Sequence, residues 1–173
     1  MLLSSVVNKR IFFIVGPSGV GKGTLVTRLR ERHPEFCFPP SVTTRPPRPG
    51  EVDGVQYTFV TDAEFTNYEQ NGELLEWALV HGLHRYGTLK KLILDPALAG
   101  QVVIREVDIQ GLVSIRRNLP LELFCAIFVA PPDLPILRAR ILRRQPTMSA
   151  EELAHRLASA EKELAKKDLA DVA

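Results

Sequence analysis

The chain has 173 residues, 22 basic against 20 acidic ones, and two cysteines. That length fits one compact domain, and a composition 45% hydrophobic and 24% charged excludes disorder, a long coiled coil and a disulfide scaffold. A formal charge of +2 gives no ground for a nucleic-acid partner, and no apolar run approaches a membrane span, so neither nucleic acid nor membrane is expected as a partner. Met1 to Arg10 carries its positive charges after its apolar residues, the reverse of a secretory signal. Cys37 and Cys125 show no metal or redox spacing and fit a reducing compartment, so a cytoplasmic location is expected.

In chain order, Ile11–Val15 is a continuous apolar run, the pattern of a strand buried on both faces of a parallel sheet. A glycine-rich turn follows, and Leu25, Val26 and Leu29 then share one side of a helix that ends before Pro34. Pro39 to Pro49 holds five of the thirteen prolines, a composition that excludes regular helix or central strand. Small β structure is expected around 55–60, then a helix opened by a capping box of Thr61 and Glu64, then a strand over 73–80. Asp95-Pro96 predicts a break or kink. Val102–Ile104 and Ala126–Val129 are further buried strands, each followed by a helix, after Asp108 and Asp133. Arg138–Ser149 is rich in arginine and breaks at Pro146. A second capping box, Ser149 with Glu152, opens a helix whose Leu153, Leu157, Ala160 and Leu164 form one apolar stripe. Strand, helix, strand with short joins predicts an α/β fold with a parallel sheet flanked by helices.

Three constellations carry chemistry. Gly16-Pro17-Ser18-Gly19-Val20-Gly21-Lys22-Gly23-Thr24 lies between a strand and a helix, where small residues let backbone N–H groups wrap phosphates and the helix dipole favours the anion. Lys22 would reach the outer phosphates. Gly23 occupies the place where a hydroxyl residue usually follows the lysine, which leaves Thr24 as the candidate metal-facing hydroxyl. Next, Glu106 and Asp108 lie on alternate positions at the carboxyl end of a strand, where open α/β sheets bind ligands; a solvated helix cap is the equal alternative. Arg105 in the same strand has no account from sequence. Finally, Ser41–Glu51 sets Arg45 and Arg48 on a proline-stiffened segment, an arrangement that suits a phosphate monoester.

The phosphate loop followed by Ser41, Thr43, Thr44, Arg45, Pro47, Arg48, Gly50, Glu51, Gly54 and Tyr57 resembles the guanylate kinase family. Glu76-Trp77-Ala78, Val80-His81-Gly82, Tyr86-Gly87-Thr88, Glu106 to Gly111, Ala130-Pro131-Pro132 and the helix containing Arg156 match in the same order. The resemblance implies a P-loop NTPase-type sheet (about 9–36, 97–137 and 150–173), a small α+β GMP-binding region (about 37–96) and a helical lid (about 138–149). It implies a kinase moving the γ-phosphate of ATP to GMP with magnesium. Gly16, Pro17, Ser18, Gly19, Val20, Gly21, Lys22, Gly23 and Thr24 would bind ATP, and Thr24 the metal, directly or through water. Arg45, Arg48, Tyr57 and Tyr86 would hold the phosphate of GMP, while Ser41, Glu76, Thr88 and Asp108 would read guanine. Lys22, Arg45, Arg140, Arg144 and Arg156 would balance charge on the moving phosphoryl group, with Arg143 left to solvent.

The chain departs from the family pattern at three places. One extra residue in 81–87 predicts a bulge before Tyr86. Another near Gln145-Pro146 shifts the lid. The final strand of the family has no counterpart after Asp168, which predicts an open sheet edge and weaker ATP binding. Two rival readings are a non-catalytic interaction module, opposed by the intact Gly16, Gly21 and Lys22, and a kinase of another phosphate monoester, opposed by Glu76 and Asp108. The sequence carries no signal of oligomeric state.

Overall fold

The apolar run at the start of the chain can be buried on both sides only if strands flank it and helices cover it. The structure, a computed structural model describing residues 9–173 except Gln56 and His81, shows this arrangement. Strand β1 (Ile11–Val15) is central, parallel to β6 (Val103–Glu106) on one side and β7 (Phe124–Phe128) on the other. Ile11, Phe13 and Val15 point into the main core and Ile14 is buried on the opposite face. The reading of Met1–Asn8 and the His81 of the family pattern lie outside the described residues.

Helix α1 (Lys22–Arg32) follows β1 and stops before Pro34, as the sequence predicts. Helix α4 (Ile109–Asn118) follows β6 and buries Ile109, Leu112 and Ile115 against Phe13, Val15 and Phe124; Asp108 caps it, accepting from Gly111 N at 2.7 Å. Helix α5 (Leu134–Arg144) follows β7, capped by Asp133, and packs Leu137 and Ile141 against Val20 and against Leu153 and Ala160 of α6 (Ala150–Leu164). Residues 138–144 are therefore the C-terminal part of this packed helix.

The intervening region builds a second sheet in the order β3-β2-β5-β4, from β2 (Ser41–Thr43), β3 (Tyr57–Phe59), β4 (Leu74–Val80) and β5 (His84–Leu89). Helix α2 (Asp62–Gln70) packs Phe65 on it with Val42, Leu74 and Leu89. The Thr61–Glu64 capping box is complete. The box at Ser149 is half made: Ser149 Oγ accepts from Glu152 N at 3.1 Å, but the Glu152 carboxylate turns to Arg156 at 2.9 Å. A charged donor outcompetes a backbone N–H for that carboxylate.

Three expectations are corrected. The proline-rich segment contains an interior strand, because Pro39, Pro40 and Pro46 flank β2 and leave the N–H groups of residues 41–43 free to pair on both edges. Helix α3 (Lys90–Leu98) runs through Pro96 instead of breaking there; Pro96 lies in its last turn, and the helix ends two residues later, just before Ala99 and Gly100. The extra residue of 81–87 is absorbed in the turn, where Leu83 N donates to Val80 O, and β5 pairs regularly from His84 onward; the irregularity falls between Leu74 and Glu76.

The main sheet is widened on both sides by single bridges, Cys37 beside Val103 and Val172 beside Ile127. Asp171 fixes the second. One carboxylate oxygen accepts from Arg116 at 2.9 Å, the other from Ala126 N at 2.7 Å, and Val172 O accepts from Phe128 N at 2.7 Å. Asp171→Ala removes two charge-assisted bonds and leaves Arg116 without its carboxylate, a loss of about 2–4 kcal/mol. Its melting temperature is expected to fall by roughly 5–12 °C; calorimetry showing no change would remove the carboxylate from the account of this edge.

Candidate active site

The first β–α turn makes the larger half of the site. Gly16 has φ +143° and a Cβ there would strike Val129 O; Gly19 has φ +84° and a Cβ there would meet Ile141 Cγ1 at 2.8 Å. Only glycine lets the loop lie this close to β7 and α5. The loop opens onto a cleft of about 1360 Å³ lined by Gly16, Ser18–Leu25, Glu106, Asp108, Arg140, Arg143, Arg144 and Glu163, among others. Lys22 Nζ folds back on its own loop, donating to Gly16 O and to Pro17 O at 3.2 Å. Burial lowers its pKa, opposed by the carboxylates of Glu163, Glu106 and Asp108. Arg140 Nη1 donates to Val20 O at 2.8 Å, so this arginine is fixed to the loop itself. Arg144 reaches the same wall. Arg143 is exposed as expected, yet it too lines the cleft. Arg156 is absent from the lining and pairs with Glu152.

The acidic strand end serves both readings offered by the sequence: Asp108 caps α4, and both Glu106 and Asp108 line the cleft. With the Thr24 hydroxyl they present hard oxygen donors on one wall. Among the described residues no group of three His, Cys, Asp or Glu side chains could cage a metal. That donor set fits an ion which keeps water and takes phosphate oxygens.

The second half is built by the smaller sheet. Arg45 is 8% exposed, and its guanidinium donates to Tyr86 Oη at 3.1 Å, Pro46 O at 2.7 Å and Glu51 Oε1 at 2.9 Å. It lies over the rings of Tyr57 and Phe59, and Tyr57 meets Tyr86 edge to face at 5.8 Å. Three of five guanidinium N–H groups are committed and two remain for a ligand. Arg48 is exposed, with its backbone N held by Glu51 Oε2 at 2.7 Å. Nearby, the Thr88 hydroxyl donates to Glu76 Oε1 at 2.5 Å, and Ser41 and Thr88 both accept from Arg105. Burial raises the pKa of Glu76, opposed by the Thr88 bond and the Arg105 charge, while Asp108 adds to the rise. Through that proximity Asp108 belongs to both halves.

Two side chains at the candidate site went unread in the sequence. Glu51 organises both arginines, a role signalled only by its place in the family pattern. Glu163 faces Lys22 with one buried, unpartnered oxygen, but the periodicity of α6 marks only its apolar stripe. Glu51→Gln is expected to raise KM for an acceptor bearing a phosphate monoester about tenfold with a smaller change in kcat, as initial rates at varied acceptor would show. The bond from Arg45, with the Arg48 N–H behind it, holds the Glu51 pKa below its ordinary 4.5. A depressed carboxylate contributes fully above that ordinary value and is lost only as pH falls through the lowered one, so the contact between Glu51 and Arg45 should persist at pH 5.

The comparisons agree along the chain. The guanylate kinase family model matches residues 8–172. A guanylate kinase of Thermobifida fusca is 48% identical over 164 residues, 95% of this chain and 82% of that protein. One of Gloeobacter violaceus is 43% identical over 162 residues, 94% of this chain and 77% of that protein. The crystal structure of guanylate kinase from Anaplasma phagocytophilum superposes with a TM-score of 0.69 at 29% identity, covering 95% of this chain and 74% of that one.

Proposed function

The chain belongs to the guanylate kinase family and is an ATP:GMP phosphotransferase, and from that premise we propose how its residues divide the reaction. The loop 16–24 holds the ATP phosphates in the large cleft, with Lys22 leaving its two carbonyls for the outer phosphates. Arg45, Arg48, Tyr57 and Tyr86 hold the GMP phosphate on the region of about 37–96, and Ser41, Glu76, Thr88 and Asp108 read the base. One oxygen of the GMP phosphate attacks the γ-phosphorus as its bond to the β–γ bridging oxygen breaks, and ADP leaves. The attacking oxygen is already ionised at neutral pH, so no general base is needed; positioning and charge balance do the catalysis.

Arg140 and Arg144, on the 138–149 stretch, screen the γ-phosphate from the cleft wall. Arg156 joins by leaving Glu152, and an exposed i,i+4 pair costs only about 0.3–0.5 kcal/mol to break. Thr24 would hold the divalent ion, magnesium, directly or through water, and the ion would neutralise phosphate charge when bound. Both cysteines are free thiols, which supports a cytoplasmic setting; separately, among the described residues no helix is long and apolar enough to cross a membrane.

The observation that carries this reading is the preassembled Arg45 clamp: a second phosphate site, apart from the loop, that ATP hydrolysis alone would not need. The test is ADP release with ATP and magnesium, offering GMP, AMP, CMP, UMP or no acceptor. Turnover with GMP alone is expected. Acceptor-independent release, or equal rates with AMP, would defeat it.

A further inference from the structure

Arg105 is a positive charge where a two-sided parallel sheet calls for an apolar side chain, pairing in register with Phe13 of β1. Its guanidinium crosses from the main sheet to the smaller one. Nη1 donates to Pro39 O at 3.1 Å, Nη2 to Ser41 Oγ, and Nε to Thr88 Oγ1 over a longer 3.4 Å. Pro39, Ser41 and Thr88 lie 66, 64 and 17 residues away in sequence, on the segments that frame the base end of the acceptor region.

An arginine can only donate, so every hydroxyl it touches must accept from it. Thr88 then passes its own hydrogen to Glu76 Oε1 at 2.5 Å, which commits that hydroxyl. Ser41 accepts from Arg105, and among the described residues nothing takes the hydrogen of Ser41. That leaves the hydrogen of the Ser41 hydroxyl available to a ligand acceptor. A purine with a 6-oxo group offers an acceptor there; a 6-amino group offers hydrogens in the plane of the ring and meets the donor badly. The guanidinium charge also lies against Glu76, favouring the ionised acceptor that N1–H and the 2-amino group require.

We propose that Arg105 is a positioning residue that sets acceptor specificity: it fixes the hydrogen-bond polarity of Ser41 and Thr88, so that Ser41 donates to the 6-oxo oxygen of the purine. The inference rests on the reading of Ser41, Glu76 and Thr88 as the base-reading group, and the experiment separates the two. The probe pair is GMP and 6-thio-GMP, which differ only in replacing the oxygen by a sulfur that accepts hydrogen bonds weakly.

For the unaltered enzyme kcat/KM should favour GMP by about tenfold, the worth of one good hydrogen bond. Arg105→Leu and Ser41→Ala should each reduce that preference to within about twofold, and the double variant should lose no more than either single one. KM for ATP should stay within about twofold in all three, which shows that the fold and the phosphate loop survive. A structural role alone would lower the rates with both acceptors together and keep their ratio. If Arg105→Leu fails to fold, Arg105→Lys carries the test: it keeps the charge, loses the fork, and should lose at least about threefold of the preference. Full preference in the Arg105 variants with loss in Ser41→Ala overturns the role of Arg105 and leaves the base-reading group intact. Full preference in Ser41→Ala, or no preference in the unaltered enzyme, overturns the reading of Ser41 itself.

Discussion

Replacing Lys22 by alanine is expected to lower kcat by about a hundred- to a thousandfold, while GMP binding stays within about twofold. The amine is the one cation on the phosphate loop itself, and it arrives there because α1 starts at residue 22 with the loop wrapped before it. Without nucleotide its hydrogens go to Gly16 O and Pro17 O, the two carbonyls at the loop entrance. Those are neutral acceptors, so exchanging them for phosphate oxygens costs little and gains charge complementarity. As the β–γ bond breaks, negative charge grows on the bridging and β oxygens, and Lys22 is placed to meet it. Arg140 lines the same cleft but comes from α5 and is tied by Nη1 to Val20 O, so it does not take the place of an amine on the loop itself. Stopped kinetics at saturating ATP and GMP, with GMP binding measured separately, checks the split. A fall in GMP affinity matching the fall in kcat would place Lys22 outside the role given to it.

The parts of this molecule that were legible in sequence are those whose causes are local. The run at Ile11–Val15, the glycine turn and the helix after it are fixed by residues within about fifteen positions of one another, and the structure places them as expected. The Asp108 and Asp133 caps are equally local. Strand β2 was hidden because its only argument is non-local: Val42 pairs with Thr58 on one side and with Gly87 on the other, while the neighbouring prolines argue the opposite. The same holds for Arg105, whose three acceptors come from two other strands and a proline carbonyl. Glu163 stayed hidden for another reason, since a helical stripe reports which face is apolar and says nothing of a carboxylate at its margin. The family resemblance supplied the site residues, and the coordinates add what motifs do not carry: Arg45 is held ready by Glu51, whereas Arg156 is engaged elsewhere.

Glu76→Gln should cost GMP turnover roughly a hundred- to ten-thousandfold in kcat/KM, the worth of two hydrogen bonds to a charged group, with KM for ATP unchanged. Glu76 is on β4 just past the irregularity at Leu74, turned toward Thr88 directly across the strand pair. One oxygen accepts from the Thr88 hydroxyl and keeps a second lone pair, the other is open, and both remain able to take a ligand donor. Guanine presents two donors side by side, N1–H and the 2-amino group, and a carboxylate accepts from both where an amide must offer hydrogens at one of its ends. Size and shape are kept in glutamine, so the loss isolates the acceptor. Adenine has no N1–H, so AMP should lose far less than GMP, and the ratio of the two acceptors should collapse toward unity. Burial already raises the pKa of this carboxyl, and the Arg105 charge and Thr88 bond oppose that rise. Protonation would convert one of its oxygens into a donor much as the glutamine does. Lowering the pH through the titration of Glu76 should therefore erode GMP preference in the unaltered enzyme and leave the Gln variant flat. A GMP-to-AMP ratio equal in the two proteins at every pH would remove Glu76 from base recognition.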